Sequence, residues 1–86
     1  MIEIKTNTGF SCQLPEDVLN DMELVELMAA DMPEAFRVAK VADHLLGEKK
    51  KDLYNHVRSE GRVPVDAVER EVRDILLALG NRGKNS

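Results

Sequence analysis

Few side chains in this chain are of a type and spacing that could do chemistry. His44 and His56 stand twelve positions apart. A metal-binding helix needs ligands one turn apart, and neither histidine has such a partner. Asp43 adjoins His44, but adjacent helical residues point in different directions. Cys12 is the only cysteine, so it makes no internal disulfide. It falls on the apolar side of an alternating segment, where a thiol behaves as a small hydrophobe. A nucleophilic thiol wants an electropositive, accessible site, and this half of the chain is acidic. Gly47, Gly61 and Gly80 fall where helices should stop, not in a phosphate-cradling loop. Carboxylates lie near one another throughout, as an acidic surface produces without any catalytic design. The pattern predicts a non-enzyme with no metal and no cofactor.

The elements around these residues are legible. Ile2, Ile4, Phe10, Cys12 and Leu14 alternate with polar residues, the period of a half-buried strand. Thr6-Asn7-Thr8-Gly9 suits a hairpin loop. A hairpin is predicted over about Ile2–Lys5 and Phe10–Leu14. Pro15–Leu19 reads as a helical turn, and Asn20 or Asp21 caps a helix of about Met22–Ala30. Asp31-Met32-Pro33-Glu34 reads as the cap of a second helix that runs to Leu46. Its inward face is Ala35, Val38, Ala39, Ala42, Leu45 and Leu46. Gly47 stops it. A third helix, about Glu48–Ser59, turns Leu53, Tyr54 and Val57 inward. Val63-Pro64 opens a fourth, Val65–Leu79, with Val65, Val68, Val72, Ile75, Leu76 and Leu79 inward and Gly80 as its stop. Residues 81–86 read as a disordered tail. The fold class is α+β with helix dominant, an N-terminal β-hairpin and about four short helices, in one small domain over 1–80.

Length and charge narrow the function. A chain of 86 residues holds one core and buries only roughly 60% of its unfolded surface. With neither disulfide nor metal, oligomerisation or docking on a partner is the remaining source of stability. The net charge of −4 argues against general nucleic-acid or anionic-membrane binding. No apolar run reaches the ~20 residues of a membrane span. The opening Met1-Ile2-Glu3-Ile4-Lys5 lacks the regions of a secretory signal, and a free thiol suits a reducing cytoplasm.

The charge is polarised. Met1–Glu48 carries ten acids and three bases, whereas Lys49–Ser86 carries six acids and nine bases. The polarity fits two solvated faces, or head-to-tail self-association through Lys49, Lys50 and Lys51. The lysine triplet opposes the dipole of a helix beginning at Glu48. Either that helix starts later or the triplet serves a contact. Met22, Val25 and Met28 share one side of the first helix, with Met32 just beyond. Methionine recurs on surfaces that accept partners, and also fills cores. These four are the candidate partner-binding residues. The last two helices also suggest a helix-turn-helix, but the recognition helix would open with Asp66 and Glu69, which phosphate repels.

Nearly the whole chain resembles the small tail assembly chaperones of long-tailed phages and prophages of Gram-positive bacteria. The residues that carry the resemblance are Met1-Ile2-Glu3-Ile4, the acidic Leu19-Asn20-Asp21-Met22-Glu23-Leu24, and Leu45-Leu46-Gly47. Lys51-Asp52-Leu53-Tyr54-Asn55-His56-Val57-Arg58, Gly61-Arg62-Val63-Pro64-Val65 and Gly83-Lys84-Asn85-Ser86 complete it. The resemblance implies a largely helical, self-associating and non-catalytic protein of the bacterial cytoplasm. Such a protein coats the tape measure protein, keeps it soluble and recruits tail tube subunits. It is absent from the finished virion. The resemblance also implies a −1 frameshift near the end of the gene, for which Gly83-Lys84-Asn85 permits the slippery codons GGA-AAA-AAC. The alternative is a small helical regulator or adaptor from a mobile element.

Overall fold

Alternation of apolar and polar side chains builds the first element. In a computed structural model that describes residues 1–84, β1 (Ile2–Lys5) pairs antiparallel with β2 (Ser11–Leu14). Ile4 lies opposite Cys12 and Ile2 opposite Leu14. Ile4, Cys12 and Leu14 are buried on one face while Glu3, Lys5, Ser11 and Gln13 face out. The tip closes through Thr6 N–H to the Phe10 carbonyl at 2.8 Å. Gly9 takes φ +94° there, a conformation that costs glycine nothing.

After Pro15 the chain makes two successive turns instead of the expected helical turn. Val18 N–H bonds the Pro15 carbonyl and Asn20 N–H the Asp17 carbonyl. Helix α1 (Met22–Ala29) then starts at Asp21, whose Oδ1 accepts the Glu23 N–H at 3.0 Å. Eight residues do not hold a helix alone. Buried Leu24 anchors α1 to the core. The Arg37 Nη2 group closes its far end by donating to the carbonyls of Ala30 and Met32 at 3.0 and 3.4 Å.

Helix α2 (Glu34–Leu46) follows Pro33, which occupies the cap position; no side chain caps this helix, so the expected role of Asp31 is not found. Its buried face is Val38, Val41, Ala42, Leu45 and Leu46. Ala35 and Ala39, expected inward, are exposed. Alanine fits either side of a helix edge, so the larger Val41 and Leu46 set the rotation. Gly47 ends α2 with φ +57°. A 3₁₀ turn (Gly47–Lys49) joins it to α3 (Lys50–Val57), so the third helix starts two residues later than its sequence pattern suggested.

Beyond α3, Ser59 and Arg62 exchange two backbone hydrogen bonds across Glu60 and Gly61, both at positive φ. That is the geometry of a type I′ turn. Helix α4 (Val65–Lys84) closes the fold. It runs through Gly80, contrary to the expected stop there and the expected disorder of 81–84; residues 85 and 86 lie outside the described residues. Gly80 has no positive φ, and nothing in the packing forces the chain to turn. Val65, expected inward, is exposed in the first turn, before α4 meets the core.

The result is helix-dominant α+β. One face of the hairpin packs on the helical layer, with α4 against β1, α2 and α3, and α1 against α2. Ile4, Leu24, Leu53 and Ile75, one from each of β1, α1, α3 and α4, are among the most deeply buried side chains of the core.

Candidate functional site

The structure places the candidate chemical groups apart. His44 leaves α2 toward Asp21, Nε2 to Oδ2 at 2.8 Å. That contact holds the Asp21 carboxyl below its ordinary range. His56 leaves α3 toward the hairpin tip, where its ring lies 5.7 Å from that of Phe10. Cys12 is buried under the hairpin; burial pushes its thiol pKa up, and nearby Lys49 only partly opposes this. That is the environment of an inert thiol. Among the described residues no three His, Cys, Asp or Glu side chains converge to hold a metal ion.

The hairpin tip holds a cluster that sequence reading missed. Glu71 on α4 is 1% exposed. Its Oε1 accepts the Thr6 hydroxyl at 2.7 Å and its Oε2 the Thr8 hydroxyl at 2.8 Å. Thr6 Oγ1 in turn accepts the Phe10 N–H at 3.2 Å. Thr8 Oγ1 lies 2.9 Å from His56 Nε2. The single hydroxyl proton of Thr8 goes to Glu71, so Thr8 takes its remaining bond from the Nε2–H of His56. One turn along, Asp74 Oδ2 accepts the Asn7 N–H at 3.1 Å. The group ties the tip to α3 and α4. Its one sequence signal is Glu71 between inward Val68 and Val72 on an otherwise apolar stripe.

The lysine triplet divides. Lys49 Nζ donates to the Gln13 carbonyl of β2. Lys50 Nζ donates to Asp43 Oδ1 at 2.8 Å and sits 5.8 Å from the centre of the Tyr54 ring. This pairing pushes the Lys50 pKa up and holds the Asp43 carboxyl down. Lys51 faces solvent. Two of the three cations are thus engaged within the fold, which offsets their unfavourable place at the start of α3.

The surface of α1 carries large apolar side chains that the packing does not cover. Met22 is 69% exposed, Val25 48% and Met28 45%. They lie along one side of the helix, with exposed Ala29 between them, while Leu24 and the half-buried Leu27 face inward. Met32, in the loop beyond, is half-buried. Glu23 and Glu26 are exposed along one flank of this strip. Beside Met28 an open groove of about 330 Å³ runs between α2 and α4. Exposed Leu77 stands on its α4 side.

The α3–turn–α4 pair presents Asp66 in the first turn of its second helix, and Glu69 there is paired with Arg73 at 2.5 Å. Phosphate would meet carboxylates first. Comparison with protein-family models, with curated proteins and with solved structures finds no match.

Proposed function

We propose that this protein is a phage tail assembly chaperone that binds the tape measure protein, keeps it soluble and recruits tail tube subunits. The observation that carries this reading is the exposed apolar strip of Met22, Val25 and Met28 on an acidic helix. A folded domain this small gains stability by burying such side chains, yet here three large ones are left to solvent. Flexible methionines adapt to the successive apolar segments of a long helical partner. The resemblance set out above supplies the identity of that partner. In this reading the protein is non-catalytic and needs no cofactor. It self-associates along the tape measure with the acidic half of a neighbouring copy through the Lys49, Lys50 and Lys51 triplet, of which Lys51 is the member left facing solvent. It works in the cytoplasm of the bacterial host and leaves before the virion is complete.

The test is the partition of the tape measure protein encoded nearby, expressed with and without this chain. The proposal expects the tape measure to move from the insoluble to the soluble fraction and to co-purify with the chain. A tape measure that stays insoluble and unbound would remove the proposal and favour an adaptor role.

A further inference from the structure

We infer that the free edge of β1 pairs with β1 of a second copy, antiparallel about a two-fold axis at Ile4, so that Glu3 of each copy faces Lys5 of the other. In an antiparallel ladder, successive residues turn their backbone groups alternately toward the partner strand and away from it. The Thr6 N–H bond to the Phe10 carbonyl sets the phase. Ile4 with Cys12, and Ile2 with Leu14, then exchange the bonds inside the hairpin. Glu3 and Lys5 therefore turn their N–H and C=O groups outward. Both residues are exposed, and these groups have no hydrogen-bond partner among the described residues. The opposite edge is occupied, because Lys49 Nζ donates to the carbonyl of Gln13, an outward-turned residue of β2. An open row of strand donors and acceptors is a template for another strand.

The side chains on this edge select the occupant. Glu3 and Lys5 carry opposite charges, and neither has an ion-pair partner among the described residues. An arriving strand has to set its own outward-turned residues opposite them. A second β1 running antiparallel does so in registers stepped by two residues. With the axis at Ile4, Glu3 meets Lys5 and Lys5 meets Glu3, opposite charges directly across the pair. Shifting the partner one step either way sets Glu3 against Glu3 or Lys5 against Lys5, and like charges there are destabilising. The strand is thus complementary to itself in the register centred on Ile4, as a two-fold interface demands. Ile4 is already buried in its own core, so backbone bonds and charge carry the contact. The pairing joins the two hairpins into one sheet and closes on itself, unlike the head-to-tail contact through Lys51. It needs no tape measure, so it holds or fails apart from the chaperone reading.

The test is sedimentation equilibrium of the full chain over a wide range of concentration at low salt, with amide hydrogen exchange followed by NMR. A monomer–dimer equilibrium is expected, and exchange at the Glu3 and Lys5 amides should slow as the dimer fills. Glu3→Lys alone, or Lys5→Glu alone, sets like charges across both pairs. Each is expected to weaken the dimer about tenfold. The two single variants mixed together should form a mixed dimer of wild-type strength. The double exchange Glu3→Lys/Lys5→Glu should do the same with itself. Both side chains are exposed, so these variants keep the fold, and rescue by mixing separates lost pairing from lost folding. Lys51→Glu is expected to leave the dimer unchanged. A chain that stays monomeric throughout, or a dimer indifferent to the single variants, overturns the inference. So does a mixture no stronger than its parts, a dimer lost in Lys51→Glu, or exchange at Glu3 and Lys5 that stays fast in the dimer.

Discussion

A carboxylate as deeply buried as Glu71 costs several kcal/mol unless donors meet it, and Thr6 and Thr8 supply two. Glu71→Gln keeps the shape but leaves one hydroxyl facing an amide N–H₂ group that cannot accept. A loss of about 1–3 kcal/mol is expected, read from the midpoint of urea unfolding. Unchanged stability would show that the fastening is idle. Asp21 gives a second test. Its folded pKa lies below the ordinary 3.8 because His44 and the Glu23 N–H favour the charged form. A lowered carboxylate pKa contributes stability that is present above the unfolded value and lost as pH falls through the folded one. Asp21→Asn keeps the cap acceptor and removes the charge. Its deficit against wild type should be present near neutrality and vanish as pH falls below about 3.8, the unperturbed value. A deficit that persists in strong acid would contradict this origin.

At the level of elements, strands and long helices were legible where large apolar residues fixed the period. The alternation of Ile2, Ile4, Cys12 and Leu14 located the hairpin, and Leu45-Leu46-Gly47 located the end of α2. Small and special residues misled. Ala35 and Ala39 carried no information about side, so the inward face of α2 was misjudged. Gly80 looked like a stop because glycine often follows helices, but a stop also needs a reason for the chain to turn. Glu71 showed in the sequence only as a charge on the apolar stripe of α4; its threonine partners lie more than sixty residues away. The exposure of Met22, Val25 and Met28 was half legible. Their shared side was visible in the spacing, but only Leu24 in the core decides which side faces out. Two glycine substitutions test the extent of α4 and the turn before it. Gly80→Ala should stabilise by up to about 1 kcal/mol, since alanine is the better helix former and its Cβ meets nothing within 4 Å. Gly61→Ala should destabilise by about 1 kcal/mol, because its φ of +79° strains any Cβ. Thermal unfolding of the pair reads both signs. A destabilised Gly80→Ala would place the end of α4 earlier.

The molecule as a whole combines an acidic N-terminal half with a mildly basic C-terminal half and leaves an apolar strip on the acidic side. Lys49 and Lys50 are engaged inside the fold, which leaves Lys51 as the solvent-facing member of the triplet for contact between copies. Exposed ion pairs contribute only about 0–1 kcal/mol each, so in the proposed reading apolar contact along the tape measure has to carry assembly. Free protein should therefore self-associate weakly, and less at high salt, whereas the complex should be tight. The encoding DNA offers an independent check. The codons for Gly83, Lys84 and Asn85 should form a slippery run with an open −1 frame beyond it, and GGC-AAG-AAT would remove that support. The most direct measurement is the mass, by light scattering, of the complex formed when the tape measure protein is co-expressed with wild-type chain and with Val25→Glu/Met28→Glu. The account predicts a soluble complex with many copies of the chain per tape measure, lost in the double variant although that variant remains folded. A wild-type chain that emerges alone, or a double variant that binds as well as wild type, would contradict it.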